Sequence, residues 1–130
     1  MEIYLEHFID TGHRIVGHKG KCARLHGHTY RFEIWISGEI VDPGFVVDFG
    51  DVKDILNTWD HRTLLWDQDP LWQEYIKLQE HGVIAVPFNP TAENMAQFMA
   101  DYICDKVNAG LVTLKVWETP KCHATAYSRD

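Results

Sequence analysis

The chain has 130 residues, which fits one domain, and its 45% hydrophobic and 24% charged residues are typical of a globular protein rather than a disordered one. Its formal net charge of −7 argues against general nucleic-acid binding, which depends on basic patches. No apolar run is long enough to span a membrane, and the acidic N-terminus does not resemble a signal peptide. We therefore expect a single cytoplasmic domain, residues 1–130, with neither a nucleic-acid nor a membrane partner.

Two strands are predicted in the first part of the chain because apolar and polar side chains alternate there. The first covers Glu2–Ile9, a glycine-containing loop follows over Thr11–Lys21, and the second strand covers His28–Gly38. The motif "VDPGF" is typical of a turn, and "FVVDF" after it is expected to form a short third strand. Together these three strands would form an antiparallel meander.

The rest of the chain alternates between helical and extended patterns. A helix beginning near Asp51 is expected to be capped by Asp48 or Gly50. The other expected elements are a short helix ending at Gly82, a short strand or extended loop in "VIAVPF", a long helix capped by Thr91 and ended by Gly110, and strands in "LVTLKVWET" and "HATAYS". The fold class is therefore α+β, with four strands around two main helices.

A candidate metal site lies in the stretch "KCARLHGHTY", residues 21–30. If this stretch is extended, His26 and His28 point to the same face, because side chains alternate along a strand. His13 lies where the first strand gives way to a loop, and it can approach the pair if the two strands are neighbours. Three neutral imidazoles with an open fourth position are typical of catalytic zinc. The alternative is that these are ordinary surface or core histidines.

Cys22 lies four residues before His26, among basic residues that favour the thiolate form. It could be a metal ligand, or it could remain free as a base or nucleophile beside the metal. A passive surface thiol is the third possibility, and the spacing alone leaves these alternatives open.

Acidic residues supply three further candidates. Asp60 directly precedes His61 and could orient its ring, although such a pair more often marks a helix end. Glu118 ends an otherwise apolar strand, where it is either solvated or an anchor for a ligand with paired hydrogen-bond donors. Glu93 lies in the first turn of the long helix, where a carboxylate already suits the helix dipole.

Taken in order, the motifs "GHR", "CARLHGHTY", "GFVVDFGDVK", "WDHRTL", "NPTAEN" and "VWET" resemble those of the 6-pyruvoyltetrahydropterin synthase family. The spacing Cys-x-x-x-His-Gly-His is most similar to the branch that forms 6-carboxytetrahydropterin in queuosine (7-deazaguanine) biosynthesis. The resemblance implies the tunnelling fold, a four-stranded antiparallel sheet with two main helices on one face. It also implies trimers whose sheets join into a barrel, and hexamers made of two trimers.

The resemblance also implies roles for individual residues. The expected Zn²⁺ ligands are His13, His26 and His28. The expected catalytic residues are Cys22, Asp60, His61 and Glu118. The active site is expected between subunits, so that Cys22 and the Asp60–His61 pair come from different chains.

The reaction implied by the resemblance is that of a lyase. It converts 7,8-dihydroneopterin triphosphate to 6-carboxytetrahydropterin, acetaldehyde and triphosphate. The expected substrate contacts are Glu118, Thr91, Glu93, Lys21 and Arg24, with the two cations near the triphosphate. The alternatives are a pyruvoyl-forming synthase or related pterin aldolase and, in another class, a zinc-bearing binding module without chemistry. The sequence departs from the family pattern in "IDTGHR" and in the long Trp66–Phe88 segment, which could reach the pocket.

Overall fold

The computed structural model describes residues 1–129. Its strands are β1 (Glu2–His13), β2 (His26–Ser37), β3 (Thr63–Trp66), β4 (Val83–Val86), β5 (Leu111–Thr119) and β6 (Cys122–Tyr127). Its α-helices are α1 (Phe49–Asn57), α2 (Trp72–Tyr75) and α3 (Ala92–Lys106), and two 3₁₀ helices cover Lys21–Ala23 and Ile76–His81. None of the helices in this described part combines the length and apolarity needed to cross a membrane.

The strands form one mixed six-stranded sheet in the order β4-β3-β1-β2-β5-β6. The ladders β1–β2, β2–β5 and β5–β6 are antiparallel, whereas β3 pairs in parallel with both β1 and β4. The expected four antiparallel strands are therefore present, but a four-stranded sheet is wrong. Of the two additional strands, β4 lies in "VIAVPF", where a short strand was one of two expected alternatives, whereas β3 was not expected. Each has only four residues, and a short apolar run carries no periodicity that distinguishes a strand from other buried structure.

The core lies between the sheet and the helices α1 and α3. Alternate residues of β1, β2 and β5 point into it, including Phe32 and Ile34, which are completely buried. The helices contribute Leu56 of α1 and Met95 of α3 to the same hydrophobic cluster. Burying one large apolar side chain stabilises the fold by roughly 1.5–3 kcal/mol. The packed layer therefore keeps the ends of β1, β2 and β5 at fixed distances from one another.

Two expectations about helix starts are confirmed. Asp48 caps α1 by accepting a hydrogen bond from the Gly50 amide at 2.8 Å, and Thr91 caps α3 by accepting one from the Asn94 amide at 3.1 Å. The long helix ends at Lys106, before the expected Gly110, because Asn108 turns the chain with a left-handed φ of 52°. The third strand of the expected meander is also wrong: Phe45 forms only an isolated bridge with Val41.

The first strand is longer than the alternation predicted. It continues past Ile9 to His13, because Thr11, Gly12 and His13 pair with His28, Gly27 and His26 of β2. His13 is thus a strand residue rather than part of the predicted Thr11–Lys21 loop, and its side chain is completely buried.

Candidate functional site

The pairing of β1 with β2 brings three histidines together at one end of the sheet. His13 lies directly opposite His26, and His28 lies two residues further along the same face. The Nε2 atoms of His13 and His26 are 3.0 Å apart. The expected proximity of His13 to the His26/His28 pair is therefore confirmed.

Backbone carbonyls fix the orientation of two of these imidazoles. The Nδ1 atoms of His13 and His26 lie 2.7 and 2.6 Å from the carbonyl oxygens of Pro90 and Arg24, respectively. A carbonyl oxygen can only accept, so each Nδ1 carries the proton and each neutral ring presents the lone pair of Nε2 to the cluster. Such outer contacts are typical of metal-binding histidines. Sequence reasoning missed both carbonyls, because neither one has a side-chain signal.

Glu118 is the fourth member of the cluster. Its Oε1 lies 3.3 Å from Nε2 of His13 and 3.1 Å from Nε2 of His28. The adjacent imidazoles, His13 first among them, hold the pKa of Glu118 below its usual value despite the partial burial of the carboxyl, so the group is ionised at neutral pH. Val112, Leu114 and Val116 of β5 point to the buried face of the sheet. Because side chains alternate along a strand, Glu118, two residues after Val116, points to that face as well.

These four side chains form a donor set that fits a divalent metal. One ligand atom from each of His13, His26, His28 and Glu118 lies within 4.8 Å of the others. Nε2 of His28 is buried and makes no hydrogen bond among residues 1–129. It lies 3.1 Å from Oε1 of Glu118, but the two atoms are not aligned for a hydrogen bond. Burial lowers the pKa of His28, which favours the neutral, ligating form. Imidazole nitrogens with a carboxylate oxygen are common zinc ligands.

Tyr30 supports the cluster from the core side. Its ring packs edge-on against His13 and His28, and its hydroxyl lies 3.3 Å from Nε2 of His13. Burial raises the pKa of Tyr30 well above its usual value, so the hydroxyl stays protonated and can donate. Sequence reasoning did not single out Tyr30, which follows His28 on the same face of β2.

Cys22 lies on the 3₁₀ helix Lys21–Ala23, in the loop between β1 and β2, and is half-buried. Within the described chain, its thiol is not part of the group of possible ligand atoms. The loop is tied across its base, because the Ile15 amide donates to the Cys22 carbonyl at 3.1 Å.

The Asp60–His61 pair follows α1 and is in contact. Nδ1 of His61 lies 3.1 Å from Oδ2 of Asp60, while Oδ1 of Asp60 accepts a hydrogen bond from the Asp10 amide at 2.9 Å. That backbone hydrogen bond, with a further one from His61, lowers the pKa of Asp60 and keeps it ionised. His61 has a left-handed φ of 57°, and its ring is 78% exposed, so the outer nitrogen is accessible to a ligand.

His28 connects two surface cavities. One, of about 470 Å³, is lined by His28 together with His61 and Asp10. The other, of about 420 Å³, is lined by His28, Glu118 and Trp117, with Arg31 and Phe8 also in its wall. Within one chain, the exposed imidazole of His61 and the carboxylate of Glu118 therefore lie on two sides of His28.

The remaining expected substrate contacts are dispersed. Thr91 uses its hydroxyl to cap α3, and Glu93 is exposed in the first turn of that helix. Lys21 and Arg24 are exposed on the loop that carries Cys22. The structure brings none of these four into the histidine cluster, apart from the backbone carbonyl of Arg24.

The sheet with helices on one face is the fold of known pterin enzymes. A 6-pyruvoyl tetrahydropterin synthase from Plasmodium vivax superposes on this chain with a TM-score of 0.73 at 17% identity, over 100% of this chain and 98% of that one. The model of the 6-pyruvoyl tetrahydropterin synthase family matches residues 2–129.

Sequence relatives agree with this assignment. A 6-carboxy-5,6,7,8-tetrahydropterin synthase from Rickettsia felis is 38% identical over 124 residues, which cover 87% of this chain and 90% of that protein. One from Haemophilus influenzae is 34% identical over 132 residues, which cover 92% and 93%. This chain belongs to the 6-pyruvoyl tetrahydropterin synthase family.

Proposed function

We propose that the protein is a zinc-dependent 6-carboxy-5,6,7,8-tetrahydropterin synthase that acts in the cytoplasm in queuosine biosynthesis. It would convert 7,8-dihydroneopterin triphosphate to 6-carboxytetrahydropterin, acetaldehyde and triphosphate. The observation that carries the proposal is the convergence of three imidazoles and a carboxylate at the end of the sheet, in a chain whose named relatives are such synthases.

The proposed roles of the residues are those that the family resemblance implies, and the geometry of the histidine cluster and of the Asp60–His61 pair supports them. His13, His26 and His28 would hold the zinc, which supplies Lewis acidity toward the hydroxyl groups of the substrate side chain. The Cys22 thiolate would remove a proton from that side chain. His61 would carry protons at its exposed outer nitrogen, since the ionised Asp60 holds the proton of Nδ1.

Glu118 would bind the amino-pyrimidine edge of the pterin. An ionised carboxylate can accept two parallel hydrogen bonds from such an edge, and Glu118 lies in the cavity that also contains Trp117. In the substrate-free chain its Oε1 contacts His13 and His28. The carboxylate would therefore turn from the histidines toward the pterin when the substrate binds.

The proposed role of Glu118 gives a prediction for Glu118→Gln. The variant should retain zinc, because three histidines remain, but its KM should rise by about tenfold or more through loss of a charge-assisted pair. Steady-state kinetics and metal analysis would measure both quantities, with Glu80→Gln at an exposed carboxylate as the control. Loss of stoichiometric zinc, with the KM of the wild type once zinc is added in excess, would instead make Glu118 a metal ligand and not the pterin anchor.

Product analysis tests the proposed reaction directly. Purified protein would be incubated with 7,8-dihydroneopterin triphosphate, and the pterin and the volatile product would be identified. We expect 6-carboxytetrahydropterin and acetaldehyde. A pterin that keeps its whole side chain would indicate the pyruvoyl-forming reaction, release of a different aldehyde would indicate an aldolase, and unchanged substrate would indicate a binding module.

Assembly into trimers, and into hexamers made of two trimers, is part of the proposal. The outer strands β4 and β6 leave unpaired backbone groups at both edges of the sheet, and joining sheets into a barrel removes such edges. We expect light scattering at micromolar concentration to give the mass of a trimer or hexamer. A monomer under those conditions would contradict barrel assembly.

A further inference from the structure

A buried ion pair ties the loop that carries Cys22, residues 14–25, to the chain between β3 and α3. We call residues 14–25 the Cys22 loop. Nε of Arg14 donates to Oδ2 of Asp69 at 2.9 Å, and Nη1 of the same guanidinium donates to the carbonyl oxygen of Ala23 at 2.7 Å. Arg14 therefore bridges a carboxylate on one segment and the backbone beside Cys22 on another.

Asp69 is the fixed end of this bridge. Its side chain is completely buried, and its second oxygen, Oδ1, accepts a hydrogen bond from the Leu71 amide at 2.8 Å. A buried carboxylate is tolerated only where its oxygens are paired. Since both oxygens are already bound, Asp69 holds Arg14 in one orientation, with 17% of the Arg14 side chain exposed.

The same connecting segment holds the loop at a second point. The Asn89 side chain accepts from the Val16 amide at 2.9 Å and donates to the Val16 carbonyl at 2.8 Å. The Ile15 amide then donates to the Cys22 carbonyl at 3.1 Å. The backbone carbonyls of Cys22 and Ala23 are thus bound by Ile15 and Arg14, and the segment between β3 and α3 holds this stretch through Asn89 and Asp69.

We propose that Arg14 and Asp69 are positioning residues that place the Cys22 thiol for the reaction. The inference rests on the proposed function, because it needs Cys22 to act on the substrate. It also assigns a role to the long segment after Trp66, whose additional length the family resemblance left without an explanation. That segment supplies Asp69, the buried anchor of the Cys22 loop.

The geometry requires arginine rather than any cation. A planar guanidinium presents several N–H groups in fixed directions, so one side chain can bind Asp69 and Ala23 simultaneously. A lysine at position 14 would keep the positive charge beside Asp69 but would have a single nitrogen for both acceptors. Arg14→Lys and Asp69→Asn therefore weaken the bridge from opposite ends with little change in volume.

The test combines amide hydrogen exchange with kinetics. In Asp69→Asn and Arg14→Lys we expect amides of residues 14–25 to exchange about tenfold faster, the effect of losing one charge-assisted hydrogen bond. We expect kcat to fall by about tenfold, with KM and zinc content close to those of the wild type. In a Cys22→Ala background the same changes should lower kcat no further, because the two residues act on the reaction only by placing the thiol.

The control is Asp101→Asn, which removes the partner of Arg129 and leaves the Arg14–Asp69 pair intact.

Three results would overturn the inference. They are unchanged exchange in the Cys22 loop, faster exchange with unchanged kcat, and an equal loss of kcat with and without Cys22. Failure of the proposed function is recognised separately, by absence of turnover in the wild type. In that case, amide hydrogen exchange over residues 14–25 in Asp69→Asn and Arg14→Lys would still show whether the ion pair holds the Cys22 loop.

Discussion

Replacing Cys22 by alanine is expected to lower kcat by about a hundredfold to ten-thousandfold, the range for removal of a general base. Zinc, fold and assembly should be retained, because the three histidines and Glu118 form a possible ligand group without the thiol. Turnover of 7,8-dihydroneopterin triphosphate and zinc content per chain are the quantities to measure.

Cys122→Ala is the matched control for the Cys22 variant, since Cys122 is an exposed thiol on β6. It should turn over substrate like the wild type. If Cys22→Ala lost its zinc, Cys22 would be a ligand, and if it kept normal turnover, Cys22 would be a bystander. Either result would contradict its assignment as the base.

Replacing His28 by alanine is expected to abolish stoichiometric zinc binding. Nε2 of His28 is buried without a hydrogen bond among the described residues, so a metal is the partner that its position favours. Loss of an outer partner of a zinc ligand typically costs about 10- to 100-fold in affinity, and we expect loss of the ligand itself to cost at least about a hundredfold.

Metal analysis and zinc-dependent thermal unfolding would test the His28 prediction. Zinc that binds only the folded chain should raise the melting temperature of the wild type but not that of His28→Ala. His81→Ala, at an exposed histidine on the second 3₁₀ helix, should behave like the wild type. Undiminished zinc in His28→Ala would exclude His28 as a ligand.

Local sequence patterns predicted several parts of this structure well. The alternation in β2 placed His26 and His28 on the face that also carries Tyr30, and that face is the buried one. Thr91 was expected as a helix cap, and Asp48 was one of the two expected alternatives for the first helix. These features depend on neighbours within a few residues, through the period of a strand or the first turn of a helix.

Sequence patterns did not predict β3, and they predicted β4 only as one of two alternatives for "VIAVPF", because both strands depend on partners far along the chain. β3 lies beside β1 through only two residue pairs, Gly12 with Thr63 and His13 with Leu64. Without that pairing, "TLLW" is a short apolar run with no distinctive period. The strand predicted in "FVVDF" is wrong for the same reason, because a short apolar run forms a strand only where a partner strand lies beside it.

The sequence by itself determined that His26 and His28 share a face, that His13 can approach them, and that Cys22 lies on a nearby loop. Only the tertiary structure decided that the Pro90 carbonyl orients His13, that Glu118 contacts His13 and His28, and that Asp69 reaches Arg14. The physical reason is distance along the chain. Side-chain alternation is a local property of the backbone, whereas these contacts join residues that come together only when the sheet and the helices pack into one core.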